Sequence, residues 1–233
     1  MYETDCGNRV RLGCHIKGSE LLRQPSEPAR SRYPVVGGPT FGEGSGTATG
    51  DALVDWAAEH AEQLLAPLSQ QWAHSSAVGH RAGRIAKAFP AQDRGQLVAA
   101  AYLHDIGYAP GLRRTGCHAI DGASHLRDAG HERLARLVAH HAEARFEANL
   151  RGLDDELAEF SRESSPVADA LTYCDMTIGF DGEPLTLDEQ TRKIARRHGE
   201  ADAVTRSLAW SMPFLSLCVA RTERRLRLRG FTL

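Results

Sequence analysis

The stretch LVAAAYLHDIG, residues 97–107, places two ionisable side chains at the end of an otherwise apolar segment. At helical spacing Leu97, Ala101 and His104 share one face, and Asp105 lies on the neighbouring apolar line. Both polar side chains are therefore predicted to point into the interior, where an unpaired charge costs several kcal/mol. A metal ion is the simplest partner that satisfies both. For this pair alone, a His and an Asp that bond only each other remain the alternative.

Two further helices carry the same kind of side chain on their apolar faces. His74 lies on one line with Val78 and Ile85, and Asp175 lies on one line with Leu171. Three amphipathic helices that each turn an imidazole or a carboxylate inward are what a bundle needs to build a metal site in its core. Mixed nitrogen and oxygen ligands favour a first-row transition ion over calcium.

The remainder of the chain from residue 51 onward also shows helical periodicity. One helix is predicted to begin at Asp51, a second to lie between Pro67 and Pro90, and a third to cover about 92–106. Further helices are expected at about residues 118–129, 131–150, 152–160, 164–178, 186–198 and 201–228. Because no segment alternates polar and apolar residues as a strand does, the predicted fold is an all-α helical bundle over residues 51–228.

Residues 1–50 differ from the rest in composition. Their C-terminal part, YPVVGGPTFGEGSGTATG at positions 33–50, is rich in Gly, Pro, Ser and Thr and has no helical period. Such a segment buries too little apolar surface to offset its ordering entropy. The sequence therefore predicts a disordered N-terminal tail over residues 1–50.

Composition limits the partners and the compartment. A formal net charge of -2 over 233 residues gives no electrostatic argument for nucleic acid or an anionic membrane as a partner. Five scattered cysteines without a CxxC pair favour a reducing cytoplasm over a disulfide framework. The sequence shows neither an apolar run of about 18 residues nor a secretory signal pattern. A cytoplasmic protein with neither nucleic-acid nor membrane partners is expected.

The motifs around these residues resemble the HD-domain superfamily of metal-dependent phosphohydrolases. The matching stretches are WAHSSAVGHRA, AAYLHDIG and ALTYCD, which contain His74, His104, Asp105 and Asp175. The similarity extends over about residues 71–179, and its order is the family's: a His, then His-Asp, then a distant Asp. The resemblance implies an HD-type bundle with its metal on these four residues.

A second group of histidines resembles the additional ligands that give some HD proteins a second ion. His118 opens the stretch HAIDGASHLR, and His140 and His141 stand together in LARLVAHHAEAR. On a helical wheel His141 continues the core line of Leu134 and Val138, whereas His140 sits further round. His118 and His141 are therefore predicted as ligands and His140 is not. Ordinary core or surface histidines without metal remain the alternative.

The resemblance implies metal-assisted hydrolysis of a small phosphomonoester or nucleotide. One or two divalent transition ions (Mn, Fe, Co, Ni or Zn) would activate a water and position the phosphate. As catalytic residues, Asp105 would bridge two ions or steer the hydroxide, and Asp175 would ligate and accept the water's proton. The pair Arg113 and Arg114 is a weaker candidate for contact with the phosphate.

Two other functions stay open. The six-residue set also resembles HD-type di-iron oxygenases that cleave C–C or C–P bonds, since iron and manganese tolerate the same donors. An inactive HD module used for binding or regulation is the third interpretation. The other histidines are expected to bond solvent or neighbouring helices: His60, His125, His131 and His198.

Overall fold

Ten α-helices make up most of the part of the chain that the computed structural model describes, residues 48–179 and 181–232. They are α1 (Ala48–Leu65), α2 (Ser69–Ile85), α3 (Ala91–Leu103), α4 (His118–Asp128), α5 (Glu132–Ala139), α6 (Arg145–Arg151), α7 (Asp154–Ala158), α8 (Pro166–Met176), α9 (Leu187–His198) and α10 (Ala203–Leu228). These described residues contain no β-strand, only a single antiparallel bridge between Ile178 and Pro184. The prediction of an all-α fold is confirmed.

The predicted N-terminal tail falls almost entirely outside the described residues. Positions 1–47 are not described, and the last three residues assigned to the tail belong to α1, which begins at Ala48 rather than Asp51. Leu53, Ala57 and Ala61 of α1 are buried in the core at helical spacing, as the periodicity predicts.

Helix α3 is the centre of the bundle and contacts α1, α2, α5 and α8. Every residue from Leu97 to Leu103 is buried, because the helix is apolar on all sides. Its alanines at 99–101 are fully buried and small enough for neighbouring helices to approach closely. The helix ends at Leu103, so His104 and Asp105 lie in the turn that follows, before a 3-10 helix at Ile106–Tyr108.

The prediction of one continuous helix over residues 131–150 is wrong. Helix α5 ends at Ala139, a 3-10 turn covers His141–Glu143, and α6 begins at Arg145. Ala142 and Glu143 have φ angles of 47° and 57°, in the left-handed region that an α-helix cannot contain. The buried Glu143 carboxylate accepts a hydrogen bond from Arg145 (2.8 Å), which helps to hold this turn.

Helix α10 is the longest and contains Pro213. By length and composition alone it is apolar enough to cross a membrane, although the sequence was expected to contain no such run. Leu215 and Leu226 are buried, while Trp210 and Phe214 are exposed. The helix packs against α6, α8 and α9.

Candidate metal centre

The structure brings six side chains together from five separate parts of the fold. His74 comes from α2, His118 from the first residue of α4 and Asp175 from the last turn of α8. The other three stand in turns that follow helices. All six are residues that the sequence singles out as candidate ligands: His74, His104, Asp105, His118, His141 and Asp175.

The donor atoms form two overlapping groups, one around each carboxylate. Asp175 Oδ1 lies 3.1 Å from His74 Nε2 and 3.6 Å from His104 Nε2. Asp105 Oδ1 lies 3.5 Å from both His104 Nε2 and His118 Nε2, and 4.0 Å from His141 Nε2. Asp105 thus stands between the two groups and has two carboxylate oxygens to offer, whereas the single Nε2 lone pair of His104 would bind one ion.

The residues fit a metal ion. His104 Nε2 is fully buried and makes no hydrogen bond, although it faces the oxygens of Asp105 and Asp175. Its distances to them exceed a normal hydrogen bond. They approximate the separation of about 3.0–3.5 Å expected between donors that each lie ~2.1 Å from one shared ion. Five of the six side chains are buried, and His118 is partly buried, so the donors are withdrawn from bulk water.

Two of the histidines are held with Nε2 available as a ligand atom. His104 Nδ1–H donates to the carbonyl oxygen of Ala101 (2.8 Å), and His141 Nδ1–H donates to that of Val138 (2.6 Å). Because a carbonyl only accepts, Nδ1 carries the proton and the Nε2 lone pair points at the centre. Both bonds use a carbonyl three residues earlier, at a helix end where carbonyls lack helical partners.

The electrostatics of the centre call for positive charge. Burial lowers the pKa of His104, but the carboxylates of Asp105 and Asp175 outweigh it and raise that pKa to about 9. Burial raises the pKa of Asp175, yet His104 and His74 hold it well below its ordinary value. By contrast, burial and the neighbouring His118 and His104 lower the pKa of His141 to about 4. The two buried carboxylates thus favour positive charge at His104 Nε2, either a proton or a cation in its place, whereas the His141 imidazole is neutral and able to ligate.

Two residues that the sequence did not single out position His118. The ring of Tyr108 stacks on His118, with centroids 4.2 Å apart and planes within 11°. At Gly107 a Cβ would lie 1.9 Å from the carbonyl oxygen of His118, so only glycine permits this approach. Burial raises the pKa of the Tyr108 phenol well above its ordinary value, so the hydroxyl keeps its proton.

Asp121 holds the loop that leads to His118 and was also missed. Its buried carboxylate accepts hydrogen bonds from the backbone N–H groups of Arg114 (3.1 Å), Thr115 (2.9 Å) and Gly116 (3.3 Å). An Asp three residues after His118 on the same helix was the available signal. Its partners, however, lie in a loop whose path the periodicity does not predict.

A cavity of about 100 Å³ is lined by five of the six side chains, all except His104. Its far wall comes from α9 and the start of α10, and Arg197 and His198 stand on it. Apolar side chains complete the lining: Ala142, Ala144, Met176, Ile194, Val204 and Leu208. The buried Gln190 also lines the cavity, and its Oε1 atom has no hydrogen-bond partner among the described residues. None of these residues was predicted as functional.

Several other candidates lie elsewhere. His140 Nε2–H donates to the carbonyl oxygen of Phe160 (2.6 Å) and faces away from the centre, as expected. Arg113 donates to the carbonyl oxygen of Tyr108 (3.0 Å), and neither Arg113 nor Arg114 lines the cavity. The proposed contact of this pair with phosphate is therefore not supported.

A second cluster of histidines lies between α1, α4 and the start of α5. His60 and His125 share a hydrogen bond between their Nε2 atoms (2.8 Å), and Trp56 stacks on His60 with centroids 5.2 Å apart. His131 packs on the other side of Trp56 (4.2 Å). Among the described residues, none of these three imidazoles forms an ion pair with a carboxylate.

Comparison with known proteins gives one match. Residues 72–198, more than half of the chain, match the family model described as the HD domain. No curated protein and no solved structure matches the chain. The matched segment contains all six clustered side chains.

Proposed function

Because the chain belongs to the HD domain family, we propose that it is a metal-dependent phosphohydrolase acting on a small phosphate ester. One observation carries the proposal: six nitrogen and oxygen donors lie together, and five of them line a small cavity that Arg197 also lines. A phosphate ester needs both features, since its charge must be neutralised and its orientation fixed.

His74, His104, Asp105 and Asp175 would hold one ion, and Asp105 together with His118 and His141 would hold a second. When bound, such ions lower the pKa of a water and offset the charge on the phosphate oxygens. Whether one or both sites fill is measured by the metal content.

The chain's own residues supply the proton acceptor and the geometry. Neighbouring histidines hold the pKa of both Asp105 and Asp175 below the ordinary value, so both are carboxylates at neutral pH. We assign Asp175 as the group that takes the proton from the attacking water, and Asp105 as the group that orients it. The Nδ1–H bonds of His104 and His141 fix the positions of these two rings beside the carboxylates.

We assign substrate recognition to the wall formed by α9 and α10. Among the described residues that line the cavity, Arg197 is the single arginine, and a guanidinium fits the paired oxygens of a phosphate. The buried Gln190 Oε1 would accept a hydrogen bond from a substrate hydroxyl or amine. The small volume and the apolar lining favour a small organic group over a polymer.

The first test is elemental analysis of the purified full-length protein together with a phosphatase panel in Mn, Co, Ni, Mg and Fe. We expect one or two ions per chain and metal-dependent release of phosphate from at least one small phosphomonoester. A metal-loaded protein that releases phosphate from none of them contradicts the proposal. A protein that binds no metal supports the inactive regulatory module instead.

The role of Arg197 is tested by Arg197→Gln against Arg196→Gln, its exposed neighbour outside the cavity lining. Loss of a charge-assisted contact should raise KM about tenfold or more in the first variant only. Metal content should stay unchanged in both. An equal effect of the two substitutions would mean that Arg197 acts only through the general surface charge.

A di-iron oxygenase is the second candidate, because Asp105 Oδ1 is approached by three imidazoles and six donors are available for two ions. Anaerobic purification followed by an oxygen-uptake assay distinguishes the two functions. Substrate-dependent oxygen consumption by iron-loaded protein, without phosphate release from simple esters, would replace the hydrolase proposal.

A further inference from the structure

A second cavity, of about 380 Å³, lies between the start of α8 and the last two turns of α10. It is separate from the metal centre, since Pro166 and Asp175 are nine residues apart along α8, or about 14 Å at helical rise. Four arginines line it, together with one carboxylate and one hydroxyl: Arg221, Arg224, Arg225, Arg229, Asp169 and Thr222.

The charge around this cavity is strongly unbalanced. Five of the nine residues at 221–229 are arginine, although the chain as a whole carries a net charge of -2. Asp169 lies 3.7 Å from Arg221 and neutralises one of the four lining guanidiniums. Arg225 packs over the ring of Phe89, 5.3 Å from its centroid, which leaves its charge intact. The cavity therefore keeps a surplus of positive charge that a bound anion would offset.

Thr222 provides an independent sign of a missing partner. Its residue is only 2% exposed, it lines the cavity, and its Oγ1 has no hydrogen-bond partner among the described residues. Buried hydroxyls are almost always paired, so an unpaired one on a cavity wall points to a ligand or a water. The start of α8 adds the positive end of a helix dipole to the same cavity.

We propose that this cavity binds a small, multiply charged phosphate compound of the size of a nucleoside triphosphate or inorganic tripolyphosphate. Arginine forks match phosphate oxygens in paired hydrogen bonds, and several arginines on one wall suit a ligand with several phosphates. The volume falls in the range of small-molecule pockets, roughly 300–1,000 Å³. The site contains none of the six residues at the metal centre, so a test of anion binding here does not depend on the hydrolase proposal.

Isothermal titration of the chelator-treated, full-length protein with inorganic tripolyphosphate, and separately with ATP, tests this site. The variant Arg224→Gln/Arg229→Gln removes two exposed arginines of the cavity wall. The matched control, Arg206→Gln/Arg227→Gln, removes the same charge from exposed positions of α10 outside the lining. We expect affinity to fall at least tenfold in the first variant and less than twofold in the control. Circular dichroism confirms that both remain helical.

Thr222→Val keeps the shape of the side chain and removes the hydroxyl, and we expect it to weaken tripolyphosphate binding about threefold. Equal affinities for ATP and tripolyphosphate assign recognition to the phosphates alone, whereas tighter ATP binding adds a contact to the nucleoside. Absence of binding by the wild-type protein, or equal losses in the two arginine variants, overturns the proposal.

A membrane surface is the competing occupant, because Trp210 and Leu217 are exposed on the same helix. Sedimentation with phosphatidylglycerol vesicles, with and without tripolyphosphate, separates the two. Vesicle binding that needs Arg224 and Arg229 and that tripolyphosphate does not displace would replace the small-ligand proposal with a membrane-facing surface.

Discussion

The described part of the chain contains two histidine clusters in which the pKa of a buried histidine is shifted in opposite directions. At the metal centre the imidazoles surround the carboxylates of Asp105 and Asp175, and the pKa of His104 is raised to about 9. In the cluster of His60, His125 and His131, burial and the neighbouring histidines lower the pKa of His60 to about 4. The carboxylates therefore favour positive charge at His104, whereas burial among other histidines favours the neutral form of His60.

The two clusters differ in their carboxylates: Asp105 and Asp175 lie beside the histidines of the candidate metal centre. His60 and His125 satisfy each other through one shared hydrogen bond, and Trp56 covers them. The charges that reach His125 come from Asp128, which raises its pKa, and Arg114, which lowers it, while burial lowers it most. Nothing in that cluster calls for a cation. The two clusters can be separated by substitution.

The largest difference is expected from His104→Ala and Asp105→Ala. His104 is a proposed ligand of the first ion and Asp105 of both, so we expect loss of bound metal and a fall in turnover of roughly a thousandfold or more. Circular dichroism should still show a helical chain. His60→Gln is the matched change in the other cluster and should leave the metal content unchanged, as measured by elemental analysis. Metal loss in His60→Gln, or retained metal in His104→Ala, would contradict the assignment of metal binding to the first cluster alone.

The second cluster should make the free energy of unfolding depend on pH. The pKa of His60 is lower in the folded protein (about 4) than in the unfolded chain (6.5), so below pH 6.5 the unfolded chain takes up the proton first. Its stability contribution is complete above that pH and is lost as the pH falls towards 4, by about 3 kcal/mol at most. Chemical denaturation of wild-type protein and His60→Gln between pH 7 and 4 measures this. Parallel curves for the two proteins would contradict the assignment.

A smaller effect is expected within the metal centre from its second group of donors. His118→Ala and His141→Ala should each lower the metal content without emptying the first site, and should reduce turnover about 10–100-fold. His140→Ala is the control, because its ring is bonded to the Phe160 carbonyl and not to the centre. Metal analysis and initial rates decide the result. Full activity in all three variants would mean a mononuclear enzyme and would also remove the di-iron alternative.

The smallest effect is expected from deleting residues 1–47. Residues 1–47 include most of the stretch rich in Gly, Pro, Ser and Thr that has no helical period, and α1, which carries Trp56 and His60, begins after them at Ala48. Both clusters should therefore survive, with the free energy of unfolding changed by no more than about 0.5 kcal/mol. A calorimetric midpoint and a metal assay on the truncated chain check this. A large loss of either would show that the N-terminal segment contributes to the domain.

The sequence was sufficient where the information is local. Helical periodicity predicted α3 and the inward direction of His104 and Asp105, and the motif order indicated the HD fold. For His141 the residue was singled out for the wrong reason. The helical wheel places His141 on the core face of one continuous helix. In the structure α5 ends at Ala139, and His141 reaches the centre from a turn, where its ring bonds to the Val138 carbonyl.

What the sequence did not predict depends on contacts between distant segments. Arg197 lines the same cavity as candidate ligands that lie between 22 and 123 residues earlier in the chain, and no periodic pattern predicts which helix closes a cavity. Tyr108 is recognisable only once its ring is seen on His118. Likewise, no local pattern marks Ala142 and Glu143 as left-handed, since neither is glycine.

That left-handed pair has a consequence for how this protein would respond to selection. Non-glycine residues in this conformation cost about 1–2 kcal/mol each, and here the turn delivers His141 to the centre and Ala142 to the cavity wall. Glycine at position 142 would relieve the strain but free the turn to adopt other shapes. Selection for heat resistance should therefore favour glycine at position 142, whereas selection for catalysis should favour the alanine that is present.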